Sequence, residues 1–382
     1  MEKRIQEMEQ ELKQIRRELH RIPELGLAEH KTAAYIEKKL KELGVDHVER
    51  CLETGVIGLI RGQGTEGSIA FRADMDALTV QEPPHPYASC HEGLMHACGH
   101  DGHMTILLGF AKYLMAQKVR PRGDILLIFQ PAEEGPGGAR LMIETGILEK
   151  YNITKVIGCH IFPEVPQGKI ACRAGGMMAR SGEVSVVIHG KSAHGAQPQL
   201  GADAVLAAGA VISGLHTILS RNISPLDSGL LSFGSIHGGE ACNVVAKEVH
   251  LEGTMRAFSD EVYEAMAARV KEAVAFIAKG YGCRGSVEFR HMYRVVKNDP
   301  ALVRALEEVC GEDYITTPPY MLAEDFSFFQ QARPGLFFFL GAGNPEKGFT
   351  HSLHSAEFDF DEAILCSGVE VYARLLRQLG LL

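Results

Sequence analysis

Asp124-Ile125-Leu126-Leu127-Ile128-Phe129 is a near-continuous apolar run of strand length, and it leads straight into Gln130-Pro131-Ala132-Glu133-Glu134. A strand with no polar alternation is expected to be buried on both faces, as in a parallel sheet covered by helices. Upstream, residues 56–61 and 68–72 are further short apolar runs, the second delivering Asp74 and Asp76 just past its end. Downstream, 137–143 begins a helix, and 155–159 reads as a strand ending in His160. Residues 2–21 (ended by Pro23), 29–43 (closed by Gly44) and 105–116 carry helical periodicity. Strands alternating with helices predict an open α/β sheet, in which sites are built at the carboxyl ends of strands.

The pattern changes near residue 180. Residues 183–189, 230–236 and 249–256 alternate, 202–219 and 260–280 are helical, and 286–289 is strand-like. The order strand–helix–strand–strand–helix–strand predicts a ferredoxin-like unit with an antiparallel sheet, inserted at 181–292. From Asn298 the α/β pattern resumes with helix 300–309, strand 336–340 and helix 361–378. The first domain is therefore expected to comprise 1–180 and 293–382. A chain of 382 residues exceeds the usual size of a single core.

Hydrophobic residues make up 46% and charged residues 23%, the composition of a globular protein. A net charge of −9 leaves no basic footprint, so nucleic acid is not an expected partner. No apolar run reads as membrane-spanning, and the opening segment is a charged amphipathic helix rather than a signal peptide. Nine cysteines without framework spacing indicate reduced thiols and a cytoplasmic setting.

Met95-His96-Ala97-Cys98-Gly99-His100-Asp101-Gly102-His103 packs three histidines, a cysteine and an aspartate into nine residues. Sulfur and imidazole donors with carboxylates nearby suit a transition metal, although a polar loop around a buried thiol fits the same residues. Two adjacent carboxylates, Glu133 and Glu134, are costly at the end of a buried strand without a cation. Period-two geometry would send them to opposite sides, one to ligate and one to address a water or substrate. A solvated pair at a loop start is the alternative. His160 alone reads as a hydrogen-bonded core residue, and His351 and His354 as turn residues. With Cys98, His100 and Glu134 they supply enough donors for one or two metal ions.

The pieces RADMDAL (72–78), MHACGHDGH (95–103), QPAEEGPGGA (130–139), GCHIFPEVPQG (158–168), SAHGAQP (192–198), CNVVAKEVHLEGTMR (242–256), AEDFSFF (323–329) and LHSAEFDFDE (353–362) fall in one order. Together they resemble the M20 metallopeptidase family in its amidohydrolase branch, over essentially the whole chain. That branch includes N-acyl-amino-acid deacylases, hippurate hydrolases, auxin-conjugate hydrolases and N-acetyldiaminopimelate deacetylase. The Cys-Gly-His-Asp loop takes the place of the metal-bridging aspartate found in other branches.

The resemblance implies a zinc-peptidase-like catalytic domain, a central mixed sheet flanked by helices, plus the inserted ferredoxin-like lid and dimerisation domain. It implies Cys98, His100, Glu134, His160 and His354 as metal ligands and Glu133 as general base. Asp76 would orient the site from behind. His194 would reach a partner subunit's active site, and Asn243 and Arg256 match lid positions associated with the substrate's carboxylate or carbonyl end. The chain departs from the family pattern at Gln199, Ala323 and Ser355, positions that bear on substrate choice rather than on a ligand.

The function so implied is metal-dependent hydrolysis of N-acetyl or aroyl amino acids, N-acetyldiaminopimelate or hippurate-type substrates among them. One or two divalent ions (Zn, Mn, Co or Ni) would be the cofactor, in a cytoplasmic homodimer or larger homo-oligomer with no membrane partner. Two other readings compete: a cysteine hydrolase using Cys98 with His100, and a non-catalytic metal-binding protein.

Overall fold

The computed structural model describes residues 1–64 and 67–382. It divides into two compact units: Met1–Gly175 with Lys297–Pro318 and Asp325–Leu382, and Gly176–Val296 with Pro319–Glu324.

The first unit is built on an eight-stranded mixed sheet. Its labelled strands are β1 (His47–Cys51), β2 (Gly55–Ile60), β3 (Ser68–Asp74), β4 (Asp124–Gln130), β5 (Ile153–Pro166) and β6 (Ile170–Cys172). The order is β1-β2-β4-β3-β5, then the strand Gly335–Gly343, then β6 and Tyr314–Thr316. The centre is parallel: β3 pairs with β4 and β5, and β5 with Gly335–Gly343. The β1–β2 hairpin and its junction with β4 are antiparallel. Every residue of β2 and β3 is buried; β2 is apolar throughout, and β3 carries Arg72 and Asp74 into the interior. The helices are α1 (Lys3–Gln6), α2 (Glu9–His20), α3 (His30–Glu42) and α4 (His100–Met115). Helix α2 buries Leu12, Ile15, Arg16, Leu19 and His20, the spacing of a one-sided helix. It packs on α4, which in turn packs on β3, β5 and the C-terminal helix Ile364–Gln378.

Three expectations change. The helix expected over 2–21 is broken at Glu7–Met8. The strand expected at 155–159 runs to Pro166, so His160 lies mid-strand, held there by pairing with Phe339. The helix expected from residue 105 begins at His100, directly after Gly99, whose φ of +84° suits glycine. His-Asp-Gly-His is a poor helix-forming run. Gly102 nevertheless fits because an added Cβ would come 2.4 Å from Ile161 Cδ1, so packing dictates the choice there.

The second unit has the four-stranded antiparallel order Gly229–Gly238, Glu248–Ala257, Arg180–His189, Arg284–His291. Helices Ala204–Arg221 and Asp260–Gly280 pack against each other and the sheet, which is the ferredoxin-like arrangement. Asp203 and Ser259 cap them, accepting backbone N–H groups of Val205 and Val262. Val184, Val186, Ile188, Val211, Leu215, Val249, Leu251, Val270 and Val274 make the core. Against expectation, Ala204–Arg221 is long and apolar enough to cross a membrane, 18 residues at mean hydropathy 1.4. Its buried face (Ala204, Ala207, Ala208, Val211, Leu215, Ile218) is part of this core.

Candidate metal centre

The parallel centre of the sheet brings several chain segments together. Asp74 ends β3 and Asp76 follows it; His100 opens α4 with Cys98 just before it; Glu133 and Glu134 follow β4; His160 sits in β5. His354 arrives from the segment before the last helix, its backbone N–H donating to the Ala97 carbonyl at 2.8 Å. Its φ of +65° is uncommon for a residue with a Cβ, and such strain concentrates at functional sites.

The donor atoms converge in overlapping triads, each with its atoms within 4.8 Å of one another. These are Cys98–His100–His160, Cys98–Glu134–His354 and His100–Glu133–Glu134. His354 Nε2 stands 3.2 Å from Glu134 Oε1, and Cys98 Sγ 3.5 Å from His160 Nε2. Here one expectation is corrected. Glu133 and Glu134 lie in a turn rather than on the strand, so strand alternation does not apply, and both carboxylates reach the atoms around His100.

The imidazoles are held from behind. His100 Nδ1 faces the Asp76 carbonyl at 2.8 Å and His160 Nδ1 the Ile161 carbonyl at 2.7 Å. As donors at Nδ1 both rings turn an Nε2 lone pair inward, the tautomer a metal ligand needs. Asp76 Oδ2 accepts the Glu134 backbone N–H at 2.9 Å, fixing the acidic turn.

The electrostatics ask for a cation. Asp76 Oδ1, His100 Nε2 and Glu134 Oε1 are buried atoms without a hydrogen-bond partner. Burial pulls His100 down, but the charges of Asp74 and Asp76 outweigh it and push the imidazole up to about 10. Burial, then the charges of Glu134 and Glu133, raise the Cys98 thiol well above its usual value. His160, desolvated and near His103, is held well below the usual imidazole range. A divalent ion would replace the His100 proton and turn Cys98 into a thiolate ligand. The donor set therefore fits a borderline-soft transition metal.

Not every contributor was anticipated. His103 Nδ1 faces Asp74 Oδ1 at 2.6 Å while its Nε2 accepts the Ile161 backbone N–H at 2.8 Å, joining β3, α4 and β5. Asp74 is anchored by Arg72 at 2.7 Å. Arg72 also donates to Gln130 at 2.8 Å and to Asp325 at 2.9 Å, and all these groups are buried. Asp325 further accepts the Ala139 backbone N–H at 2.9 Å, tying the segment after the acidic turn to the same lattice. The RADMDAL, MHACGHDGH, QPAEEGPGGA and AEDFSFF motifs contain these residues, but only folding shows them meeting.

His194, Asn243 and Arg256 belong to the second unit. His194 is exposed on the short strand Ala193–His194, paired with Val244; the Asn243 carbonyl accepts the Gly195 N–H at 2.7 Å. Arg256 bonds Thr254 Oγ1 and the Met255 carbonyl, and partial burial lowers its pKa.

Sheet, helices and donor set together define a buried centre suited to a divalent transition metal. The profile of Peptidase family M20/M25/M40 matches residues 70–378. The chain is 39% identical over 368 residues to an N-acetyldiaminopimelate deacetylase of Bacillus subtilis, covering 95% of this chain and 96% of that one. It resembles the crystal structure of a Bacillus subtilis dinuclear metal binding peptidase of the M20 family, at TM-score 0.87 and 31% identity, covering 98% and 99% of the two chains. An aminohydrolase-like structure from methicillin-resistant Staphylococcus aureus superposes at TM-score 0.92 and 31% identity, covering 98% of each chain. This chain belongs to Peptidase family M20/M25/M40.

Proposed function

We propose that the protein removes the acyl group from an N-acyl amino acid, with N-acetyldiaminopimelate as the first substrate to test. The observation that carries the reading is the convergence of Cys98, His100, Glu134, His160 and His354 with Glu133 beside them. The substrate choice rests on the likeness to the Bacillus subtilis deacetylase across 95% of the chain.

In this reading those five residues hold one or two ions of Zn, Mn, Co or Ni. A bound ion supplies Lewis acidity toward the amide carbonyl and makes water nucleophilic at neutral pH. Glu133, buried among the ligands, takes the proton of the attacking water at its carboxylate and returns it to the leaving amine. Asp76 keeps the His100 ring and the Glu134 backbone in place through its carbonyl and carboxylate. His194, contributed within a homodimer or larger homo-oligomer, stabilises the developing oxyanion, worth roughly 3–4 kcal/mol for one such donor. Asn243 and Arg256 bind the amino acid's carboxylate end. The protein acts in the cytoplasm, on a small molecule.

A cysteine-nucleophile mechanism is disfavoured because burial and the neighbouring carboxylates keep Cys98 protonated, the opposite of an activated thiol. Chelation separates the two, since it abolishes the metal-dependent reaction and spares a cysteine hydrolase. A panel of N-acetyl, N-benzoyl and diaminopimelate conjugates, each assayed with the four metals, tests substrate and ion together. No turnover with any N-acyl amino acid would overturn the proposal.

A further inference from the structure

A second group of ligand-type atoms lies in the first unit and uses none of the residues assigned above. His20, buried at the end of α2, faces Asp101 Oδ2 through Nδ1 and Glu82 Oε1 through Nε2, each at 2.7 Å. The same Glu82 Oε1 is also bonded by His85 Nε2. Glu82 Oε2 is taken by the Ser89 backbone N–H at 2.7 Å, so Oε1 is the point where both imidazoles meet. The donor atoms of His20, Glu82 and His85 all lie within 4.8 Å of one another.

Each donor is supported. Asp101 orients His20 from behind, as carboxylates orient metal-binding histidines, and Ser89 orients Glu82. The Tyr87 ring meets His85 edge-on at 4.4 Å. Two histidines and a glutamate are a recognised zinc donor set.

The charges around the group leave room for a cation. Arg16 pairs with Asp101, Asp359 and Glu362 and Arg17 with Glu362, whereas the groups bonded to Glu82 are His20, His85 and the Ser89 backbone. Arg21 points its guanidinium at the Pro86 carbonyl, outside the cluster. The buried Glu82 carboxylate therefore meets imidazoles rather than an arginine, and low-dielectric surroundings require that its charge be matched. A proton on the His20 imidazole would do so, and so would a single divalent ion. His85 is partly exposed, which gives an ion access to the group.

We propose that His20, Glu82 and His85 form a further, structural site for a divalent transition metal such as Zn²⁺, bound in exchange for an imidazole proton. The ion ties the segment around Glu82–Ser89 to the end of α2 and, through Asp101, to the first turn of α4.

The test uses the full-length protein, stripped by chelator, reloaded with Zn²⁺ near neutral pH, freed of excess by gel filtration and analysed by elemental mass spectrometry. His85→Ala, a change at a partly exposed position, is expected to hold one zinc fewer per chain than the parent. It should keep the zinc bound through Cys98, His100, Glu134, His160 and His354, together with the hydrolytic activity. A Cys98→Ser/His354→Ala double variant, which cripples that centre, should still lose one zinc when His85→Ala is added. Glu82→Gln repeats the comparison should His85→Ala fold poorly. Equal zinc content with and without the substitution overturns the proposal and leaves the group a protonated ion network.

Discussion

The two units solve the problem of a stable interior in opposite ways. In the second, a four-stranded sheet and two helices enclose an aliphatic core, and the buried charged side chains are Arg180 and Glu324. The first buries Arg16, His20, Arg72, Asp74, Asp76, Glu82, His100, Asp101, His103, Glu133, His160 and Asp325 around one end of its sheet. Charges buried at this density give little net stability, because desolvation offsets most of the attraction. Their return is position: Arg72 fixes Asp74, Asp74 fixes His103, and His103 meets the backbone beside His160. An aliphatic core tolerates repacking, whereas a hydrogen-bonded lattice admits one arrangement. The unit that assembles a metal centre is the one that carries the costly interior.

Substitutions can break this contrast. The largest effect is expected at Glu133→Gln, with kcat falling by roughly 10²–10⁴-fold while metal content and melting temperature stay near the parent's. Metal analysis alongside kinetics checks it, and undiminished turnover would remove Glu133 from its role. Next comes Arg72→Met, which removes the guanidinium that neutralises the buried Asp74 and Asp325. It should cost about 3–5 kcal/mol in urea unfolding and weaken metal binding roughly 10–100-fold. Leu251→Ala in the second unit's core should cost about 2–5 kcal/mol of stability with no change in metal affinity. If it altered the metal titration as Arg72→Met does, the contrast between the two interiors would fail.

The smallest effect concerns pH. Despite the cost of burial, bonds from His20, Ser89 and His85 hold the Glu82 carboxyl down at about 2 instead of 4.5. A depressed folded-state pKa gives stability that is fully present above the unfolded value and lost as the pH falls from about 4.5 toward 2. The metal-stripped protein should lose urea resistance across that window, and Glu82→Gln should flatten the slope. An unchanged slope in the variant would show that other carboxylates govern acid unfolding.

Much of this was legible in the chain itself. The apolar run ahead of Glu133, the Cys-Gly-His-Asp loop and the strand–helix–strand–strand–helix–strand order each have a local cause in periodicity or donor chemistry. What stayed hidden depended on partners far away in sequence. His160 read as the end of a strand because Ile161–Pro166 loses its regular apolar pattern, yet pairing with Gly335–Gly343 carries the strand on. His100 read as a loop residue because its neighbours are poor helix formers, yet Gly102 packed against Ile161 and Phe360 draws the helix back to it. Nothing near His20 in sequence hints at Glu82 or Asp101, which only the fold brings to it.

By itself the sequence determined the class of each unit and the donor types, since these follow from residue chemistry and spacing over a few positions. Only the tertiary structure decided which carboxylates face the metal centre. The Glu133–Glu134 turn is oriented by an Asp76 bond spanning 58 residues, and Asp325 is brought to Arg72 across 253. Those contacts are set by how strands order within a sheet, and strand order is a property of the folded chain rather than of any stretch of it.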